Sequence, residues 1–103
     1  MELDRNGYAP SLIDKAENTC FICGRTSEKL DRHEAFGGAF RQKSKKYGLW
    51  CSLCHFECHL NGVHMYAVMN RSLKQQAQKA AMKEYGWTTE EFRKHFAKNY
   101  LEE

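Results

Sequence analysis

The alternation of apolar and polar residues predicts two β-strands in the middle of the chain. Leu30 to Phe36 is the first, and Gly37-Gly38 ends it in a hairpin or a wide loop. Tyr47 to Leu53 is the second, because apolar residues recur there at every other position. This strand should divide its side chains between two faces, with Leu49, Cys51 and Leu53 on one and Trp50 on the other.

Helical periodicity follows in the C-terminal third. Ser72-Leu73-Lys74-Gln75 has the pattern of a capping box and predicts the start of a helix. Apolar residues then recur at helical spacing until Gly86, which stands where a C-terminal cap belongs. A second capping box, Thr88-Thr89-Glu90-Glu91, predicts a last helix that carries Phe92, Phe96 and Tyr100.

The remaining segments have weaker patterns. Residues 1–19 lack periodicity and suggest an irregular arm packed loosely on the domain. Cys54 to Met69 starts with a helical turn and meets a break at Asn61-Gly62. The 103 residues predict one α+β domain in three parts: the arm (1–19), a core (20–69) and C-terminal helices (72–101).

Composition adds constraints on the class of protein. The polar N-terminus has no apolar signal region, and the longest apolar run, Tyr47 to Cys54, is too short to span a bilayer. We therefore expect a soluble, cytoplasmic protein with no membrane partner, in which thiols stay reduced. A small domain often needs a staple, and five cysteines, an odd number, favour metal binding over a disulfide scaffold.

All five cysteines and four of the five histidines lie between residues 20 and 64. Cys20 and Cys23 form a knuckle followed by a glycine, and structural zinc takes four ligands, so two partners are needed. The partners are Cys54 with Cys58, one helical turn apart, or Cys51 with Cys54, as in a zinc ribbon.

The pairing of Cys54 with Cys58 is preferred. Cys51 falls in an apolar strand, where a free cysteine packs as a small buried hydrophobe, and Ser52-Leu53 forms turns poorly. His59 is an alternative to Cys58 as the fourth ligand.

A second group of candidate ligands lies on the first predicted strand, in Asp31-Arg32-His33-Glu34. On a strand Asp31 and His33 share one face, while Arg32 and Glu34 share the other. Zinc bound between residues 20–23 and 54–58 would bring this strand close to the start of the following helix.

Histidines from the two segments can then meet around one metal or one phosphate. We expect His33 and His59 to do so, with His64 nearby in the chain. His55 and His95 are expected to face solvent.

Positive charge is concentrated in Arg41-Gln42-Lys43-Ser44-Lys45-Lys46, while the whole chain carries a net charge of only +3. A short basic run is often a solvated loop. Its position between the two groups of metal ligands favours a role for Arg41, Lys43, Lys45 and Lys46 in binding nucleic-acid phosphates.

The chemistry that these groups favour is phosphodiester hydrolysis. A divalent metal would stabilise the charge on the phosphate and on the leaving oxygen. Histidine suits the role of the base because its pKa is near neutral, and Arg41 can hold a phosphate with two donors.

The order of these motifs resembles the HNH endonuclease family, whose core is the ββα-metal finger. More narrowly, it resembles small phage-encoded proteins of HNH nuclease type over roughly residues 20–101. The residues that carry the likeness are Cys20-x-x-Cys23, Asp31-Arg-His-Glu-Ala-Phe-Gly-Gly-Ala-Phe-Arg41, Tyr47-Gly-Leu-Trp50, Cys54 to His59, Asn61-Gly-Val-His64 and Phe96-Ala-Lys-Asn-Tyr-Leu101.

The resemblance implies a β-hairpin followed by a helix, with a metal held between them. His33 or Glu34 would be the base, Asp31 or His33 would lie nearer the metal, and His59 would bind the metal from the helix. The family usually separates its later cysteines by two residues, whereas three separate Cys54 and Cys58 here. The structural zinc ligands implied are Cys20, Cys23, Cys54 and Cys58.

The predicted function is a metal-dependent DNA endonuclease with a structural Zn²⁺, and RNA is the alternative substrate. A second divalent ion, such as Mg²⁺, Mn²⁺ or Ni²⁺, would be bound by Asp31, His33, His59 and His64. The alternative is a non-catalytic zinc module that binds nucleic acid through its basic run.

Overall fold

The computed structural model describes residues 3–101. The regular elements are β1 (Asp31–Glu34), a 3-10 turn (Gly38–Phe40), α1 (Arg41–Lys46), β2 (Trp50–Leu53), a π-helical segment (His55–Val63), α2 (Ala67–Tyr85) and α3 (Thr89–Phe96). They form a small mixed α/β fold with one two-stranded antiparallel sheet. None of the helices in residues 3–101 is long and apolar enough to cross a membrane.

The two strands are shorter than the sequence predicts, but their faces are as expected. β1 and β2 pair antiparallel, with Asp31 opposite Leu53 and Glu34 opposite Trp50. Leu49, Cys51 and Leu53 are fully buried. Trp50 points to the other face, where its Nε1 donates a 2.8 Å hydrogen bond to the Ala9 carbonyl.

The basic run forms a helix, α1, rather than a loop. Lysine, arginine and glutamine have high helix propensity. Ser44 is fully buried in this helix. Its hydroxyl donates to the Phe36 carbonyl at 2.7 Å and accepts from the Phe36 N–H at 3.1 Å, which ties α1 to the end of β1.

α2 begins at Ala67, so the predicted capping box at Ser72 is wrong. Ser72 lies inside the helix, where its hydroxyl accepts a 3.5 Å bond from Gln76 Nε2. Burial of an apolar face that includes Leu73 and Ala77 outweighs the local capping signal.

The two other helix-end signals are confirmed. Gly86 ends α2 with a φ of 68°, in the left-handed region that glycine tolerates. Thr88 opens α3 with both hydrogen bonds of a capping box, one of them from the Glu91 N–H to its own hydroxyl.

The segment after β2 is continuous through Asn61-Gly62, and the predicted break there is wrong. His59 N–H donates to the Cys54 carbonyl at 3.0 Å and His64 N–H donates to the His59 carbonyl at 3.2 Å. Bonds that span five residues define a π-helix, which is often found at functional sites. The chain becomes extended only at Tyr66, directly before α2.

The N-terminal arm is irregular, as predicted, but it is not packed loosely. Ala9 and Ser11 are buried. The Ala9 N–H donates to the Lys45 carbonyl at 2.8 Å, and the Ser11 hydroxyl donates to the Trp50 carbonyl at 2.5 Å. Backbone groups without a strand or helix partner are satisfied here by tertiary hydrogen bonds.

Two apolar clusters form the core. One contains the aromatic side chains Phe36, Phe92 and Phe96, between the end of β1, α2 and α3. The other surrounds β2 and contains Leu53, Val63, Leu73 and four of the cysteines. The predicted metal ligands therefore lie at the edge of the second cluster.

Candidate functional site

The knuckle at Cys20 is a tight turn built by the backbone. Gly24 has a φ of 75°, a conformation that favours glycine, and its N–H donates to the Cys20 carbonyl at 3.0 Å. The Cys23 N–H points at Cys20 Sγ, 3.5 Å away. The Phe21 N–H donates to the Ser52 carbonyl at 2.8 Å, which docks the knuckle on β2.

The cysteine cage is defined by Cys20, Cys23, Cys54 and Cys58. Their four Sγ atoms all lie within 4.8 Å of one another. Cys23 Sγ and Cys54 Sγ are 3.9 Å apart, close to the roughly 3.8 Å edge of a tetrahedron with Zn–S bonds of about 2.3 Å. The four cysteines are positioned to hold a metal ion, consistent with structural zinc.

The geometry of the π-helix explains the spacing of the last two cysteines. Cys54 precedes the segment and Cys58 lies within its first wide turn. Cys51 points into the core instead, and burial raises its thiol pKa well above the ordinary range. Of the pairings left open by the sequence, the structure brings Cys54 and Cys58 to the knuckle.

Electrostatics within the cage favour a bound cation. Although burial opposes it, N–H groups of Cys23, Cys54 and Ile22 lower the pKa of Cys20 to about 6. Burial, followed by the neighbouring sulfurs, raises the pKa of Cys58. Four thiolates at this distance repel one another, and a bound cation would offset that repulsion.

The histidine cluster consists of His33, His59 and His64. One nitrogen of each ring lies within 4.8 Å of the other two. His59 Nε2 and His64 Nε2 are 3.0 Å apart, and the ring centroids of His33 lie 5.2 Å from each of the other two. The tertiary structure therefore brings together the three histidines that the sequence indicated as candidate ligands.

His33 is the buried member of this cluster. Its Nε2 is inaccessible to solvent and has no hydrogen-bond partner within residues 3–101. Burial, followed by the charges of His59 and His64, lowers the His33 pKa to about 4, so the ring is neutral at pH 7. A buried ring nitrogen without a partner is a group that a metal ion would satisfy.

Asp31 lies behind His59 rather than beside His33 and His64. Its Oδ2 accepts from His59 Nδ1 at 2.8 Å and from His55 Nδ1 at 2.6 Å. These two bonds lower the Asp31 pKa. A carboxylate on Nδ1 orients a histidine toward a metal through its Nε2, so Asp31 is placed to support a ligand.

The sequence predicts that His55 faces solvent between the zinc ligands. Its side chain is 52% exposed, but it shares the Asp31 carboxylate with His59. The sequence carried no signal for this contact, because it depends on the π-helical turn between residues 55 and 59.

Glu34 and Arg41 are joined in a second network. Glu34 accepts from Tyr8 Oη at 2.6 Å and from Arg41 Nε at 2.8 Å. Burial, followed by the hydrogen bond to Glu34, raises the Tyr8 pKa to about 12. Tyr8 is thus a residue of the candidate site that sequence reasoning missed, since it belongs to the arm.

The lysines of the basic run point in different directions. Lys43 Nζ donates to the His95 carbonyl at 2.8 Å, at the end of α3. Lys45 Nζ lies 4.7 Å from the Tyr8 ring centroid, and Lys46 Nζ lies 5.4 Å from that of Tyr47. Helix α1 spreads the four charges, so they do not form one patch.

His95 does not lie open on the surface. Its ring stacks on Trp87 with centroids 4.1 Å apart, which partly buries it. It contributes nothing to the histidine cluster.

The histidine cluster forms the floor of an open cleft of about 530 Å³. Arg32, Glu34 and Arg41 border it on the β1 and α1 side, and Asn70 and Lys74 border it on the α2 side. The last two are four residues apart on one helical face. Sequence reasoning missed them because it began the helix at Ser72 and so divided the pair.

Comparisons with protein-family models, with curated proteins and with solved structures found no match for this chain.

Proposed function

We propose that this protein is a metal-dependent endonuclease that hydrolyses phosphodiester bonds in DNA. The observation that carries the proposal is the convergence of three imidazoles on one point at the floor of a cleft with basic walls. A buried histidine with a purely structural role normally has a hydrogen-bond partner for each ring nitrogen. His33 Nε2 has none within residues 3–101, so a bound metal ion would satisfy it.

The donor set fits a catalytic divalent ion. His33, His59 and His64 offer three nitrogens and leave one side open to the cleft, as three-ligand catalytic sites do. An ion bound there would supply a Lewis acid for the phosphoryl oxygen and a water of lowered pKa. The imidazole donors suit Zn²⁺ or Ni²⁺ better than Mg²⁺, which prefers oxygen ligands.

The surrounding side chains take positioning roles. Asp31 holds the His59 ring by its Nδ1, so that Nε2 faces the cluster. Glu34 has both oxygens engaged, one by Tyr8 and one by Arg41, and we assign it to orienting Arg41 rather than to taking a proton. Arg41 remains 60% exposed and binds the scissile phosphate.

The HNH resemblance supports the same reading. The strands β1 and β2 and the π-helical segment follow one another as the elements of a ββα-metal finger would, and the histidines come from the first and the last. In this proposal the zinc-filled cysteine cage staples the finger, because it joins the knuckle to the segment that carries His59.

A plasmid-cleavage assay tests the proposal. Supercoiled plasmid is incubated with the protein and Mg²⁺, Mn²⁺, Ni²⁺ or Zn²⁺ in turn, beside His33→Ala and His59→Ala. We expect cutting with at least one metal and a loss of about 100-fold or more in each variant, typical of removing a catalytic group. His95→Gln, outside the cleft, is the matched control and should cut normally.

Zinc per chain and circular dichroism, measured on each variant, separate loss of chemistry from loss of fold. Cutting that survives His59→Ala would contradict the proposal. No cutting with any metal, together with salt-dependent DNA binding, would instead favour a non-catalytic zinc module.

A further inference from the structure

Helix α2 presents a polar pair to the cleft that the proposed chemistry leaves without a role. Asn70 and Lys74 lie one helical turn apart and both border the cleft. The next residue on the inner face, Leu73, is buried in the core beside the cage, so the orientation of the helix is set by packing. The polar pair cannot turn away from the cleft without exposing that face.

Lys74 lacks a counter-ion in the described part of the chain. Within residues 3–101 it forms no ion pair with a carboxylate, whereas Arg25, Arg32 and Arg41 each do. Its Nζ lies 5.4 Å from the centroid of the Tyr100 ring, a contact that holds the side chain but does not neutralise it. Partial burial, followed by the charge of Lys98, lowers its pKa.

Lys74 also lines the same cleft as His33, His59 and His64. A positive charge held beside a metal site repels a cation and lowers its affinity. Such an arrangement gains stability when an anion lies between the ammonium and the floor. Across the cleft, the exposed guanidinium of Arg41 offers donors to the same anion.

We propose that Lys74, with Asn70 beside it, is the second half of a phosphate clamp, and that a nucleic-acid phosphodiester lies between α2 and Arg41. This clamp rests on the proposed function for the choice of a phosphodiester over a free phosphate. Lys74 donates as a point charge and Asn70 through its amide N–H, while Arg41 holds the opposite oxygens. The substrate backbone then runs across the three histidines, from α1 to α2.

The test measures DNA binding without cleavage. A fluorescein-labelled 20-base-pair duplex is titrated with protein that holds one zinc per chain by fluorescence anisotropy, in buffer without added divalent metal and with salt varied from about 50 to 200 mM. Removal of one phosphate contact reduces the slope of log K against log salt by about 1. We therefore expect Lys74→Met to weaken binding about five- to tenfold at low salt and to lower that slope by about 1.

Lys79→Met is the matched control, because Lys79 is an exposed lysine on the same helix that does not line the cleft. It should leave the slope unchanged. Inorganic phosphate is added as a competitor: displacement of the duplex at low millimolar phosphate would show that free phosphate, not the diester, is the preferred ligand, and would overturn the choice of ligand. An unchanged slope in Lys74→Met would overturn the clamp.

The two proposals fail in different ways. If the wild-type protein binds DNA through Lys74 but never cuts it, the nuclease proposal is wrong and the clamp is supported. If the wild-type protein cuts DNA and the Lys74→Met variant binds and cuts equally well, the nuclease proposal is supported and the clamp is wrong.

Discussion

The cysteine cage and the histidine cluster are two groups of metal ligands on neighbouring segments, yet they differ in closure. Three of the four cage cysteines are buried, and their sulfurs face one another. The histidines instead differ in exposure, from buried His33 to exposed His64, and they line a cleft. A site with four protein ligands is saturated, whereas one with three leaves a position for water or substrate.

The difference also shows in what surrounds each group. Backbone N–H groups and Leu53 enclose the cage, so its ligands are held by the fold itself. In the histidine cluster, the Asp31 carboxylate holds His59, whereas His33 Nε2 has no hydrogen-bond partner within residues 3–101. Stability should therefore depend on the cage, and the proposed activity on the cluster.

The largest expected effect comes from opening the cage. Cys54→Ser should lose zinc, and with it binding free energy on the order of 10 kcal/mol, comparable with the whole stability of a small domain. We expect the variant to be largely unfolded at 25 °C, as checked by zinc per chain and by thermal melting followed by circular dichroism.

Cys51→Ala is the matched control for the cage. The Cys51 thiol is fully buried but outside the four sulfurs, so the variant should keep one zinc per chain and lose only about 1 kcal/mol of stability. Loss of zinc in this variant, with retention in Cys58→Ser, would restore the zinc-ribbon pairing and contradict the comparison.

An intermediate effect is expected from the carboxylate behind the cluster. Asp31→Asn keeps the shape of the side chain but removes the charge that orients His59. The proposed second site should then bind Ni²⁺ or Co²⁺ about 10- to 100-fold more weakly, as measured by calorimetry, with cage zinc unchanged.

Asp14→Asn is the control for that change. The Asp14 carboxylate also accepts a hydrogen bond, from the Ser52 N–H at 2.8 Å, but lines a different cleft, which contains no histidine. Equal weakening in both variants would show that Asp31 acts through the general stability of the domain and not through His59.

The smallest effect is expected from a helix end remote from both groups of ligands. Thr88→Ala removes the capping box of α3 and should cost about 1 kcal/mol, or a melting temperature lower by roughly 4–8 °C. Zinc content and cleavage should not change, and Thr89→Ala, one residue on, should melt near the wild type. A loss of zinc here would mean that the cage and the aromatic core are not independent.

Sequence patterns predicted correctly those features that depend on neighbouring residues in the chain. The alternation around Leu49 and Cys51 predicted a buried strand face, and the Thr88 capping box predicted the start of α3; the structure has both. The predicted helix start at Ser72 was wrong because burial of Leu73 and Ala77 decides where α2 lies. That burial involves partners far away in the chain. The prediction of a loosely packed arm was wrong for a similar reason, because the hydrogen bonds of the arm are made to Lys45 and Trp50, far away in the chain.

By itself, the sequence determined the chemistry available to this protein: five cysteines and four histidines between residues 20 and 64, in a domain small enough to gain from a metal staple. Only the tertiary structure decided how those groups are divided. The antiparallel register and the π-helical turn set the distances between side chains from different segments, and metal binding depends on those distances within a few tenths of an ångström. Tyr8 and Lys74 enter the site for the same reason, because packing of the arm and of α2 brings them there.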